Sequence, residues 1–187
     1  FGTIVQLIQN GAYVDLFVAT GDDKRLDEAR KAAKSLGDSG WKLHELGYEN
    51  NRIPYSTEII QDIDKRLEEI SPDLVITHWV GDNQQDHQNI AKATISACRK
   101  RDTIWMMEPP HGRPPVKDVF RPQIYVDISD SLNKKQEAIL KHKSQFERLS
   151  MKDGFDPWAC RSKLHGTSIK VDAAEVFEVV KQTVRFI

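Results

Sequence analysis

The sequence is short of the residues on which several function classes depend. It has two cysteines in 187 residues, Cys98 and Cys160. Two cannot build a disulfide framework, and Cys98 falls on the apolar side of a helical pattern, so a reduced cytoplasmic setting is expected. A basic excess is also missing. Lys and Arg total 27 against 28 Asp and Glu, for a formal net charge of -1, and with 8% aromatics there is no basic field to draw a nucleic-acid backbone. No run of about 18 apolar residues is present to span a bilayer. No Gly-x-Gly-x-x-Gly or Walker sequence follows a strand pattern, which leaves a dinucleotide or nucleotide phosphate site without support. A Gly-x-Ser-x-Gly elbow is absent too, so a nucleophile triad has none either.

What is there is one domain's length of chain, enough for a single core, with 29% charged residues of both signs for a water-facing surface. Phe1 to Asn10 reads as a helix with Ile4, Leu7 and Ile8 inward, closed by Asn10-Gly11. Strands are expected over 13–19, 41–47, 73–78, 103–107 and 124–128, the third on an apolar β-branched run and the last on alternation. Between them lie helical patterns carrying Leu26, Ala29, Ala33 and Leu36, then Ile59, Ile60, Ile63, Leu67 and Ile70, then Ile90, Ala91, Thr94, Ile95, Ala97 and Cys98. This alternation predicts an α/β fold of Rossmann-like, doubly wound type, with a mostly parallel sheet and helices on both faces. Because such folds grow by β-α-β crossovers, a helix at Phe1 has no strand to cross from, and a strand upstream of it is expected. Toward the other end, a helix is expected from Ser131 to about Ser150 with Leu132, Ile139, Phe146 and Leu149 inward. Lys152 to Lys170 should be irregular, and Asp172-x-x-Glu175 reads as a capping box for a last helix bearing Val176, Val180, Val184 and Ile187.

The densest chemistry lies in one stretch, Ser71 to Arg99. Leu74-Val75-Ile76 is a buried strand, and between it and the helix that begins near His87 come His78, Trp79, Gly81, Asp82, Asn83, Gln84, Gln85 and Asp86. Ligands of open α/β sheets bind beyond the carboxyl ends of the strands, where this loop should emerge.

The segment Thr77-His78-Trp79-Val80-Gly81-Asp82-Asn83-Gln84-Gln85-Asp86-His87 resembles the second motif of the LmbE-like (PIG-L) family of zinc-dependent N-acetyl-sugar deacetylases. Further likenesses follow in order along most of the chain: Tyr48-Glu49-Asn50-Asn51-Arg52, Glu108-x-Pro110, Phe120 to Ile128, and Lys143-Ser144-Gln145. The family's first motif, His-Pro-Asp-Asp-Glu, supplies a His and an Asp to the metal and a second Asp as base. Its place would be just before Phe1, and it is absent from the chain. The resemblance therefore implies one LmbE-like domain over 1–187 lacking its first strand, and a chain starting at Phe1 should bind zinc weakly and lack deacetylase activity.

By the same resemblance the protein is a metal-dependent hydrolase that removes an N-acetyl group from an amino sugar or its conjugate, with zinc as cofactor. His87 would bind the metal. Asp86 and Gln84 would serve catalysis, the acid by fixing a tautomer or tuning a neighbour and the amide by donating to a tetrahedral oxyanion, where many family members carry a His. An amide donates a hydrogen bond but relays no proton. Arg52, His78 and Trp79 would contact substrate, although a His-Trp pair at a strand end is equally often a partly buried closure of the sheet. Family-like chains often form homo-oligomers. A non-catalytic sugar-binding or regulatory module of the same fold is the alternative. His111 and His165 sit in Pro-rich or irregular stretches and read as exposed; His44 and His142 read as strand and helix-surface residues. Four prolines between Pro109 and Pro115 predict a semi-rigid loop forming a wall or lid over the site.

Overall fold

The computed structural model describes residues 1–109, 119–148 and 157–184. In chain order its elements are α1 (Gly2–Gln9), β1 (Val14–Thr20), α2 (Asp23–Lys34), β2 (Trp41–Tyr48), α3 (Thr57–Ile70), β3 (Val75–His78), α4 (Gln85–Ala97), β4 (Thr103–Met107), β5 (Ile124–Asp127), α5 (Leu132–Leu140), α6 (Lys143–Arg148), α7 (Pro157–Ile169) and β6 (Ala174–Gln182). The chain forms two compact units, Phe1–Asn50 with Tyr125–Glu175, and Asn51–Ile124 with Val176–Ile187.

In the first unit β1 and β2 pair in parallel, Val14 opposite Trp41 and Phe17 opposite His44. Helix α2 makes the crossover. It opens where the sequence calls for a cap: the Asp22 carboxylate accepts the Arg25 N–H at 2.9 Å, and Ala32, Ala33 and Leu36 are buried beneath it. Helix α1 ends at Asn10 with Gly11 in the left-handed region at φ 87°, as Asn-Gly predicts. Its inward residues are Gly2, Thr3 and Val5 instead of Ile4, Leu7 and Ile8. The cause is local: Gly2 lies so close against Ile128 that a Cβ there would come within 2.8 Å of the side chain, which turns the first turn of the helix inward.

The long helix expected from Ser131 is two helices, α5 and α6. The Glu28 carboxylate of α2 accepts the Ser144 N–H at 2.8 Å and its hydroxyl at 2.6 Å, so the start of α6 is capped by another helix instead of by continuation from α5. Helix α7 occupies Pro157–Ile169, where irregular chain was expected. Gly166 permits it to pack closely, since a Cβ there would come within 2.5 Å of the Val171 carbonyl.

In the second unit β3 and β4 are parallel, Val75 opposite Ile104 and His78 opposite Met107, with α4 between them in sequence. Ile59, Ile63 and Leu67 of α3, Ile90, Ala91, Ala93 and Ala97 of α4, and Ile104 and Met106 of β4 are buried. The helix expected after Asp172 is instead strand β6, antiparallel to β4 with Met107 opposite Phe177 and Thr103 opposite Gln182. The strand orders are β1-β2 and β3-β4-β6-β5. The α/β class is therefore observed, whereas the larger sheet is mixed where a mostly parallel one was expected. No helix among the described residues is long and apolar enough to cross a membrane. The Pro-rich segment from Pro110 with His111, the residues 149–156, and Ile187 lie outside the described residues.

Candidate metal centre

Strand β3 ends on His78, and α4 begins at Gln85 after six intervening residues. The connection is tight because Trp79 is buried at 4% exposure and Gly81 sits directly on its ring, where an added Cβ would come within 2.4 Å of the indole. The Trp79 N–H donates to Glu178 at 3.1 Å, and the ring meets Phe120 edge-on at 5.8 Å. A ring so enclosed closes the end of the sheet, which is the other role the sequence left open for it.

The turn over Trp79 places Asp82 at the centre of a small network. The Asp82 N–H donates to the Trp79 carbonyl at 3.2 Å. One carboxylate oxygen, Oδ1, accepts the Gln84 N–H at 3.0 Å, and the other, Oδ2, meets Nδ1 of His87 at 2.8 Å. Its carbonyl accepts the Gln88 side-chain amide at 2.6 Å. Asp82 is 6% exposed. Burial alone would raise its carboxyl pKa, but the hydrogen bonds from His87 and Gln84 and the two neighbouring imidazoles outweigh that and hold it below the usual value. An ionised carboxylate only accepts, so the proton of the pair belongs on His87 Nδ1 and the Nε2 lone pair is left to bind.

His78 stacks on His87, ring centroids 4.0 Å apart and nearly parallel at 11°. Burial, with His87 beside it, pushes the His78 imidazole down to about 3, so it is neutral at physiological pH. Ligand atoms of His78, Asp82 and His87 all lie within 4.8 Å of one another. An imidazole nitrogen is a donor that zinc accepts. An imidazole held through Nδ1–H by a buried carboxylate is also the form in which proteins present histidine to zinc. His87, so held, is therefore a donor that fits the metal the resemblance implies.

Asp86 does something else. Its carboxylate accepts the N–H groups of Asn51 at 2.6 Å and Ile53 at 3.1 Å, and the Asn89 amide donates to the Ile53 carbonyl at 2.8 Å. These bonds fasten the Arg52 loop to the first turn of α4, with Asn51 in the left-handed region at φ 60°. Arg52 itself is exposed and Gln84, the N-cap of α4, is half-buried. His78, Gln84, Asp86 and His87 thus lie on one loop and helix start, to which the backbone flanking Arg52 is fastened. The acid that grips His87 is Asp82, five residues before it, and not the adjacent Asp86. An Asp two residues ahead of a helix N-cap that bonds the backbone two residues on is a turn signal the sequence does carry. His44 pairs with Asp15 at 2.6 Å, away from this cluster in sequence and in unit.

Residues 2–98 match the model of the family described as PIG-L, GlcNAc-PI de-N-acetylase. The chain belongs to the PIG-L family. The match contains the whole His78 to His87 loop. A curated relative, diacetylchitobiose deacetylase of Thermococcus kodakarensis, is 27% identical over 136 residues, which cover 66% of this chain and 50% of that protein. The chain thus spans about half the length of this curated PIG-L relative. Among solved structures, the N,N'-diacetylchitobiose deacetylase of Pyrococcus horikoshii, complexed with its inhibitor MPG, aligns with a TM-score of 0.75 at 22% identity over 96% of this chain and 77% of that one. The 4-carboxy-2-hydroxymuconate hydratase of Pseudomonas putida aligns as well, with a TM-score of 0.75 at 16% identity over 100% and 91%. Likeness at these identities establishes a shared fold.

Proposed function

We propose that the protein is a zinc-dependent hydrolase that removes the N-acetyl group from an amino sugar or amino-sugar conjugate. The observation that carries this reading is the Asp82–His87 pair at 2.8 Å inside the segment that matches the PIG-L family. His87 would hold the metal through Nε2. When bound, zinc would polarise the acetyl carbonyl and bring the pKa of a coordinated water toward about 7.

The chain's own residues do the rest. Asp82 keeps the His87 proton on Nδ1. The Gln84 amide, at the helix cap beside His87, donates a hydrogen bond to the oxygen of the acyl group as charge develops on it, and being an amide it leaves proton transfer to another group. Arg52 binds the substrate, with its loop held by the Asp86 carboxylate acting as a structural acceptor. His78 remains neutral and supports the His87 ring by stacking. Trp79 contributes the floor of the loop. Zinc as the metal and a reduced, cytoplasmic setting belong to the same reading. The latter is supported by Cys98, whose thiol is fully buried and pushed up to about 11 by burial. A doubly wound frame is part of it as well, supported by the two parallel pairs, each with a helix between its strands.

The test is metal analysis of the native full-length protein beside acetate release from a panel of N-acetylglucosamine derivatives. About one zinc per chain with acetate released supports the proposal. Zinc-loaded protein that binds these sugars without releasing acetate would favour a sugar-binding module instead.

A further inference from the structure

We infer that Asp82 is a positioning residue that fixes His87 as its Nδ1–H tautomer and, through the same carboxylate, sets the backbone of Gln84 at the start of α4. This deepens the function proposed above. Three observations carry it. Asp82 is buried, at 6% exposure, and both its oxygens are committed, Oδ1 to the Gln84 N–H at 3.0 Å and Oδ2 to His87 Nδ1 at 2.8 Å. A separation of 2.8 Å is a hydrogen bond between the two groups; ligands sharing one tetrahedral zinc at roughly 2.0–2.1 Å would stand further apart, so the carboxylate serves as a holder of His87 in preference to a ligand beside it. The adjacent acid is unavailable for this task, because Asp86 spends both oxygens on Asn51 and Ile53.

The consequence is specific to the atom. The Gln84 N–H can only donate, so it must face an oxygen. In Asp82→Asn the single amide oxygen therefore stays with Gln84, and the NH2 group turns to His87 Nδ1 and makes it an acceptor. The ring proton then moves to Nε2 and blocks the nitrogen that would bind metal. Size and packing are nearly unchanged, yet the tautomer inverts.

The experiment uses the native full-length protein, metal-free and with histidine nitrogens labelled with 15N. One-bond and long-range proton–nitrogen NMR spectra assign the tautomer of His87, and zinc titrations give the affinity. Wild type should show a protonated Nδ1 and an unprotonated Nε2, the minority form of a free imidazole. Asp82→Asn should show the reverse and bind zinc about 10- to 100-fold more weakly, the usual cost of losing such a partner. Asp82→Ala should show a mixture of tautomers with an intermediate loss. A wild-type His87 carrying its proton on Nε2 would overturn the inference, and that reading needs no variant to fold. An Asp82→Asn protein with tautomer and zinc affinity unchanged would overturn it too. No substrate enters these measurements, so a failed deacetylase assay would bear on the proposed activity alone.

Discussion

At the scale of single residues, the loop between β3 and α4 depends on one glycine and two acids with different tasks. Gly81 has no room for a side chain, since a Cβ would come within 2.4 to 2.7 Å of three atoms of the Trp79 ring, and that ring is pinned by its bond to Glu178. Gly81→Ala is therefore expected to cost about 1–3 kcal/mol, as over-packing does, and to lower zinc affinity by displacing Asp82. Urea denaturation and zinc titration of the same variant check both. Unchanged stability would mean that the ring shifts freely. Asp86→Ala should behave differently, because it removes the acceptor of two backbone N–H groups of the Arg52 loop while leaving His87 and Asp82 in place. Stability should fall by about 1–3 kcal/mol for the unsatisfied, half-buried amide, KM should rise, and bound zinc should stay. Loss of zinc in Asp86→Ala would assign the adjacent acid to the metal site after all.

At the scale of elements, what the sequence reveals depends on whether local pattern and tertiary context agree. The strands predicted over 13–19, 41–47, 73–78, 103–107 and 124–128 match β1 to β5 to within two residues at either end, because runs such as Leu74-Val75-Ile76 are apolar on both faces and fit nothing else of that length. Strand β6 misleads because Asp172-x-x-Glu175 imitates a capping box and Val176, Val180 and Val184 recur every four residues. The β-branched content of Val176, Val179 and Val180 was the opposing signal, and pairing with β4 decides it. The acid of that supposed box has a different partner. The Glu175 carboxylate accepts the N–H groups of Gly2 at 3.2 Å and Thr3 at 2.8 Å and pairs with Lys135 at 2.9 Å, so it caps α1 from the far end of the chain, a contact no local window contains. Burial would raise its pKa, but the Lys135 ammonium and the hydrogen bonds the carboxylate accepts outweigh burial and hold it well below the ordinary 4.5. A depressed folded pKa gives stability that is fully present above 4.5 and is lost as pH falls through the folded value. Glu175→Gln should therefore lose about 3–5 kcal/mol at pH 7, where it strands the Lys135 charge, and the gap from wild type should close on acidification. Urea melts of both proteins across the acid range measure it, and a gap that is independent of pH would remove Glu175 from the account.

At the scale of the whole molecule, the fold does not choose the reaction. The same architecture aligns with deacetylases and with a hydratase at similar TM-scores, so activity must be argued from the site. In the sequence the resemblance singled out His87, Gln84 and Arg52 as candidates. The pairing of Asp82 with His87 was not legible there, because it arises from a turn that brings positions 82 and 87 together over a buried Trp79. The decisive comparison therefore sets two residues of one helix turn against each other in the native full-length protein. His87 is the nitrogen donor of the proposed site, and His87→Ala should lose bound zinc and acetate release together. Gln84 touches the site through a neutral amide, so Gln84→Ala should retain zinc at the wild-type level while turnover falls about 100- to 1,000-fold, the usual cost of a lost oxyanion donor. Its substrate affinity should change far less, because that hydrogen bond strengthens as charge develops on the acyl oxygen and is weak in the ground state. Elemental analysis beside acetate-release kinetics separates the two outcomes. Full activity in His87→Ala would remove the metal from the mechanism, and a Gln84→Ala protein changed in KM but not in kcat would make Gln84 a substrate contact instead of an oxyanion donor.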